Sequence, residues 1–363
     1  MLAKMKITLV IGSLRIGGAE RAMVNLSTGL MNSGCDVEIV VVEKTGDFLS
    51  LVNEKVNVYD LGMKRARKSI GAFRKYLKER SPDVLIVAQT HVQLMVLTAI
   101  KISQWKGKLI LNEQSTFSTN TTNGIYRFLV KQMFGRADAI SVVSLGSAND
   151  FAERFPEFKN NVQVIANPVF NENILSLKNE NVVHPFFENS NYPVILAAGR
   201  LSKEKNFIFL LQAFSLLLKK TKAYLIIIGE GEERRSLLNE GLKLGILPHV
   251  SLPGNVSNPY AYMNRCSVFA LTSTYEGLPG VLIEALACGC NVVSLDCQHG
   301  PAEILSNGLY GTLVTSSDPE VFSGELYKSL YAGKQEEMKL TRVRDFGIDK
   351  IAMEYLGLIE RLK

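Results

Sequence analysis

The chain has 363 residues, 47% of them hydrophobic and 21% charged, with 28 Gly and 11 Pro; that is too long for one ordinary core, and two domains of about 150 to 180 residues are expected. Average hydrophobic content without a biased tract excludes a disordered, collagen-like or disulfide-stapled chain, and five irregularly spaced cysteines suit a reducing cytosol. The net charge of +6 is uneven, with 22 basic and 14 acidic side chains in residues 1–170 against 19 and 21 in the remainder.

In chain order, the first half carries strand-like runs at Lys6 to Ile11, Val37 to Val42, Val56 to Leu61, Val84 to Ala88, Lys108 to Asn112, Ala139 to Val143 and Val162 to Ile165, with helical spacing between them. Continuous Val/Ile/Leu runs indicate strands buried on both faces of a parallel sheet. The rhythm restarts with Val194 to Ala198, Tyr224 to Ile228, Val250 to Leu252, Val268 to Leu271, Asn291 to Ser294 and Gly311 to Val314, separated by helical stretches such as Phe207 to Lys219. The expected fold is α/β, two Rossmann-like doubly wound domains facing a cleft, where ligands of open α/β sheets bind. The expected division is 1–168, a polar linker at 169–190, a second domain at 191–345, and a helix at 346–363 that returns to the first domain.

No apolar stretch approaches the roughly 18 residues of a spanning helix, and the N-terminus lacks the long apolar region of a signal peptide, so a cytoplasmic location is expected. Much of the positive excess lies in Lys64, Arg65, Arg67, Lys68, Arg74, Lys75, Lys78 and Arg80, interrupted only by Glu79. This stretch reads either as a surface for anionic lipid head groups or as a solvated helix face. Without a recognised motif, and with only Phe73 and Tyr76 as aromatics, it does not suit nucleic acid.

Gly12 to Arg21 follows the first strand and leads into helical spacing from Ala22 to Met31. Glycines at such a turn let backbone approach a phosphate, yet the spacing of Gly12, Gly17 and Gly18 fits neither the dinucleotide fingerprint nor a P-loop. In the second half, Arg200 and Lys205 stand just after the strand Val194 to Ala198, where a guanidinium and an ammonium suit a diphosphate and its developing charge. Further on, Pro279 suits the first position of a helix, which puts Glu276 in the preceding loop and Glu284 in the second turn. The Gly280 and Val281 N–H groups then face any phosphate above them. Carboxylates accept paired hydroxyls of a ribose or sugar; equally, Glu276 serves as a cap and Glu284 as a helix ion-pair partner.

Glu276-x7-Glu284, the preceding Gly199-Arg200 and Lys205, and the Gly17-Gly18 turn, together with Asp138-Ala139-Ile140-Ser141, Asn167-Pro168 and Gly229-Glu230-Gly231, resemble the retaining nucleotide-sugar glycosyltransferases of family four, with the GT-B fold. The likeness runs over nearly the whole chain and is nearest to bacterial enzymes of lipid-linked oligosaccharide, capsule or O-antigen assembly, including N-acetylgalactosaminyl transferases. It implies that Gly17 and Gly18 approach the donor phosphate and that Arg200 and Lys205 bind the diphosphate. Gly280 and Val281 contribute backbone donors, Glu284 holds the ribose, and Glu276, Gly277 and Leu278 meet the transferred sugar. Asn255 and Val256 meet the nucleobase. A UDP-sugar donor without cofactor or metal is implied, and no Asp-x-Asp motif argues otherwise; the Cys288, Cys290 and Cys297 spacing matches no zinc site.

One departure is Gln114, where relatives usually carry a His that contacts the donor sugar. An amide binds a hydroxyl but takes up no proton near neutral pH, so retention with the leaving phosphate oxygen as proton acceptor is the expected route. Glu113 and His91 are candidates for the acceptor side, His91 alternatively a capping or packing residue. The implied acceptor is a lipid-linked saccharide reached from the inner face of the plasma membrane, the Lys64 to Arg80 stretch docking there. Rival readings are a nucleotide-sugar epimerase or hydrolase of the same fold, or a nucleotide-sugar-binding subunit without turnover.

Overall fold

The computed structural model describes residues 5–114, 130–188, 192–333 and 336–362. Two compact units divide the chain, Met1–Val169 with Phe346–Lys363, and Phe170–Asp345.

The first unit holds strands β1 (Lys6–Ile11), β2 (Asp36–Val41), β3 (Asn57–Asp60), β4 (Val84–Ala88), β5 (Lys108–Glu113), β6 (Ala139–Val142) and β7 (Val162–Val164), in the spatial order β3-β2-β1-β4-β5-β6-β7. All pair in parallel. Helices α1 (Gly18–Asn32), α2 (Ile70–Arg80), α3 (Thr90–Ser103) and α4 (Leu145–Arg154) connect them. Alternate residues of β1 serve opposite layers: Val10 joins Phe73, Leu85 and Phe134 on one face, while Leu9 and Ile11 join Val24, Ile39 and Ile86 on the other. That two-sided burial is why the strands read as unbroken apolar runs. The helix expected to begin at Ala22 begins at Gly18, so the glycine turn itself forms the cap and first turn.

The second unit holds β8 (Val194–Ala198), β9 (Tyr224–Ile228), β10 (Val250–Gly254), β11 (Val268–Leu271), β12 (Asn291–Leu295) and β13 (Thr312–Val314), in the order β10-β9-β8-β11-β12-β13, again parallel throughout. Its helices include α5 (Phe207–Leu218), α6 (Pro259–Arg265), α7 (Gly280–Ala287) and α8 (Pro319–Leu330). A final helix, α9 (Ile348–Arg361), belongs to the first unit and lays Ile351, Tyr355 and Ile359 into the layer beside α1. Each sheet changes the direction of its strand order once, between β1 and β4 and between β8 and β11. The carboxyl ends beside those strands are where such sheets place ligands.

The expected linker is corrected in part. Residues 170–188 belong to the second unit, where Ile174 and Val182 are buried and short helices span Asn173–Leu177 and Pro185–Glu188; Arg265 donates to the carbonyls of Val182 and Phe187 at 2.8 and 2.9 Å. The polarity of this stretch obscured the few apolar anchors that fasten it. Residues 189 and 190 lie outside the described residues.

Candidate active site

In the second unit, β8, β9 and β10 end in a laced row of glycines. Gly199 N–H donates to the Ile228 carbonyl at 3.0 Å and Gly229 N–H to the Gly254 carbonyl at 2.9 Å. Gly229 has φ +133°, and a Cβ there would lie 1.9 Å from the Gly199 oxygen, so only glycine lets the two strand ends approach. Arg200 leaves this row exposed to solvent, its charge felt by the Glu204 carboxylate.

Lys205 and Glu276 meet directly: Nζ lies 2.5 Å from Oε1, with the side chains 18% and 13% exposed. Ser273 Oγ donates to the same carboxylate oxygen at 2.6 Å. The loop after β11 is tied to the Lys205 loop by Thr272 Oγ1 donating to the Lys205 carbonyl at 3.0 Å and Thr274 N–H to the Glu204 carbonyl at 2.8 Å. Burial pushes the Glu204 carboxyl up, but a Ser202 hydrogen bond, its own backbone amide and the Lys205 and Arg200 charges outweigh it, and its pKa ends below the usual value. Nearby, burial and then the Glu276 charge push the Cys297 thiol up to about 12, which leaves it neutral.

Pro279 is the cap of α7 rather than its first helical residue, a one-position correction that makes Gly280 and Val281 the first two residues of the helix. No side chain caps this terminus, so its first N–H groups and the positive end of the dipole are available to an anion. Leu278 is buried. Glu284 stands one turn into α7 and accepts from the Tyr260 hydroxyl at 3.1 Å. Tyr260 is positioned by α6, whose Asn258 cap accepts from the Tyr260 and Ala261 amides. Asn255 and Val256 lie between β10 and α6, Asn255 exposed. Thus the second unit brings Lys205 together with Glu276, and Tyr260 with Glu284; sequence reasoning missed Ser273 and Tyr260, whose residue types alone carry no signal.

The remaining candidates lie on the first unit. Gly17 caps α1 and Gly18 opens it. Glu20 reaches back over Gly17, where a Cβ would meet its carboxylate at 2.2 Å, whereas a Cβ on Gly18 would meet nothing within 4 Å. Glycine at position 18 is therefore not demanded by the chain's own packing. Gln89, also missed, joins the loops after β1 and β4: its Oε1 accepts from Gly12 N–H at 3.1 Å and its Nε2 donates to Glu20 at 2.7 Å, with φ +68° at a non-glycine residue. Such strain is concentrated at working sites.

A cavity of about 700 Å³ opens here. Arg15, Glu43, Lys64, Arg65, Arg67 and His91 contribute its polar lining, and Val42, Ile70, Leu94 and Met95 its apolar floor. His91 is exposed to this cavity rather than packed in the core, and desolvation lowers its pKa from the usual value. The basic stretch divides in two. Lys64, Arg65 and Arg67 rim the cavity, while Arg74, Lys75, Lys78 and Arg80 stand on the outer face of α2, opposite buried Phe73, Tyr76 and Leu77.

Gln114 follows β5. Its Oε1 accepts from Asn167 Nδ2 at 2.7 Å and its Nε2 donates to Asn112. Asn112 is in turn bonded to Ser141 and Tyr355 at 3.0 and 2.9 Å. Glu113 points the other way and is 3% exposed. Among the described residues no group of three or more His, Cys, Asp or Glu side chains is arranged to hold a metal ion, and none of the described helices is long and apolar enough to cross a membrane.

Residues 179–340 match the family of glycosyl transferases group 1, and residues 16–172 match glycosyltransferase family 4. A Campylobacter jejuni GalNAc-alpha-(1->4)-GalNAc-alpha-(1->3)-diNAcBac-PP-undecaprenol alpha-1,4-N-acetyl-D-galactosaminyltransferase is 31% identical over 99% of both chains. From the same organism, N-acetylgalactosamine-N,N'-diacetylbacillosaminyl-diphospho-undecaprenol 4-alpha-N-acetylgalactosaminyltransferase is 28% identical over 97% of this chain and 98% of that protein. Among solved structures, Anabaena HepE in complex with UDP superposes with a TM-score of 0.79 at 17% identity, covering 98% of this chain and 100% of that one, a likeness of fold. The chain belongs to the family 4, group 1 glycosyltransferases, and it is a transferase with the GT-B fold.

Proposed function

We propose that this transferase moves a hexose or N-acetylhexosamine from a UDP-sugar to a lipid-linked saccharide with retention at the anomeric carbon, without a metal ion. The observation that carries this reading is the Lys205–Glu276 contact in the unit that also holds exposed Arg200 and the uncapped start of α7. Two cations and a helix terminus suit a diphosphate, and a carboxylate held by Lys205 and Ser273 suits sugar hydroxyls.

In the reaction, the bond from the sugar C1 to the diphosphate oxygen breaks, and the acceptor hydroxyl oxygen bonds C1 on the same face. Its proton passes to the departing phosphate oxygen. Arg200, Lys205 and the Gly280 and Val281 amides stabilise the charge that gathers on UDP. Glu284, steadied by Tyr260, holds the ribose, Asn255 and Val256 border the base, and Gly277 and Leu278 border the sugar. On the first unit, Gly17 and Gly18 admit the diphosphate, Gln114 binds a sugar hydroxyl, and the cavity at His91 takes the acceptor, its cations matching a diphosphate and its floor an apolar chain. The undecaprenol-linked substrates named for the Campylobacter relatives have this character. The outer cations of α2 then hold the protein on the anionic inner face of the plasma membrane.

Thermal shift with UDP, GDP, ADP and NAD tests the donor. A ligand at 100 times its Kd stabilises the folded state by about 2.7 kcal/mol, so UDP alone is expected to raise Tm, and Arg200→Ala to abolish the rise. A shift with another nucleotide and none with UDP overturns the donor assignment. Release of free sugar from UDP-sugars regardless of acceptor would favour a hydrolase instead.

A further inference from the structure

Side chains two apart on a strand share a face. Ile110 and Asn112 therefore lie on one side of β5, and Ile110 belongs to the same apolar layer as Tyr355 of α9. Strand pairing sets Asn112 beside Ser141 of β6. From the other direction, α9 rests so closely on α1 that a Cβ on Gly29 would lie 2.7 Å from the Ile348 carbonyl oxygen. Three buried polar side chains meet as a result, at 2%, 0% and 2% exposure for Asn112, Ser141 and Tyr355. Asn112 Nδ2 donates to Ser141 Oγ at 3.0 Å and to Tyr355 Oη at 2.9 Å, and the two hydroxyls lie 3.1 Å from each other.

Both hydrogens of the Asn112 amide are thus taken. Its Oδ1 accepts from Gln114 Nε2, and Gln114 Oε1 accepts from Asn167 Nδ2 at 2.7 Å. One amide reversed by itself would set N–H against N–H or oxygen against oxygen, so Asn167, Gln114 and Asn112 keep a single sense together. Burial pushes the Tyr355 hydroxyl up to about 12, so it stays protonated and able to donate as well as accept. The Gln114 amide has two hydrogens and spends one on Asn112. Among the described residues, the other is left for a ligand.

We propose that Tyr355 is a positioning residue for the transfer reaction: from α9 it orients the Gln114 amide through Asn112, and so sets the N–H that Gln114 has left for an oxygen of the donor sugar. A hydroxyl or an acetamido carbonyl can accept that N–H. Loss of the Tyr355 hydroxyl leaves one Asn112 N–H buried without an acceptor. The amide relieves this by turning, and Gln114 follows it. The contact with the sugar rests on the function proposed above, whereas the hold of Tyr355 on Gln114 does not.

A double-variant cycle on the full chain tests this, with whichever of UDP-galactose and UDP-N-acetylgalactosamine the wild type transfers. Tyr76→Phe is the control: Tyr76 is equally buried, on the opposite face of the same sheet, with its hydroxyl 2.7 Å from Thr8 Oγ1. Both Tyr→Phe variants should lower Tm, since each loses a buried hydrogen bond. Gln114→Ala is expected to lower kcat/KM about tenfold and Tyr355→Phe about three- to fivefold, the scale of one hydrogen bond and of part of one. Tyr76→Phe should leave kcat/KM unchanged, and Tyr355→Phe should cost nothing further once Gln114 is replaced. In protein carrying isotope-labelled glutamine, the Gln114 side-chain amide resonance, identified by its absence from Gln114→Ala, should shift in Tyr355→Phe and not in Tyr76→Phe. Losses that multiply in the double variant, or normal turnover by Tyr355→Phe beside an impaired Gln114→Ala, overturn the positioning role, as does an unmoved amide resonance. If the proposed function is what fails, the wild type transfers neither sugar, or Gln114→Ala turns over normally, while the resonance still shifts in Tyr355→Phe; the hold on Gln114 then stands and its service to the sugar falls.

Discussion

Lys205 Nζ and Glu276 Oε1 lie 2.5 Å apart, 71 residues apart in sequence, with Ser273 Oγ on the same carboxylate oxygen. Each side chain is mostly enclosed, so each charge depends on the other for its solvation.

Removal of one partner should therefore cost more than removal of both. Lys205→Met and Glu276→Gln are each expected to lower stability by about 1–3 kcal/mol, and the double variant by less than either, as a thermal-unfolding cycle would show. Turnover behaves differently. Lys205→Met should lose about 100-fold in kcat/KM with a UDP-sugar, the scale for one group that stabilises developing charge, and the second substitution should not restore it.

Two glycines of α1 should separate packing from ligand access. A Cβ on Gly29 would lie 2.7 Å from the Ile348 carbonyl oxygen and 2.8 Å from Ala352 Cβ, because α9 crosses there. Gly29→Ala should cost about 1–3 kcal/mol. Gly18→Ala meets nothing within 4 Å and should leave Tm unchanged or slightly higher, yet raise KM for the donor. An unchanged donor KM removes Gly18 from the donor site.

Tyr260→Phe deletes one hydroxyl from a nearly buried ring whose role is to donate to Glu284. The expected loss is about 1 kcal/mol of donor binding, roughly a five-fold rise in KM, with kcat little changed. Titration with UDP by calorimetry, compared for variant and wild type, measures it directly.

The two parts of the basic stretch should fail differently. Reversing Arg74, Lys75, Lys78 and Arg80 removes outward cations worth about 1 kcal/mol each at an anionic surface, and should release the protein from anionic vesicles while turnover of a short water-soluble acceptor persists. Replacing Lys64, Arg65 and Arg67 at the cavity rim should instead raise acceptor KM even without vesicles. Vesicle binding that ignores both salt and lipid charge would contradict the membrane role of α2.

The sequence by itself determined the alternation of strands and helices, because strands buried on both faces must be continuously apolar and the chain shows that rhythm twice. It also determined the chemistry on offer at strand ends: Arg200 and Lys205 after β8, Glu276 and Glu284 around the start of α7, Gly18 after β1. Those groups sit where local pattern alone predicts a loop or a helix start. Only the tertiary structure decided which of them meet. Lys205 finds Glu276 through the adjacency of β8 and β11, Glu284 finds Tyr260 through α6, and the pocket at His91 exists because the residues after β1 and β4 converge with the 64–70 segment. Glu113 reads as a candidate for the acceptor side from its place beside Gln114, and its burial could not be read there. Burial depends on neighbours distant in sequence rather than on residue type.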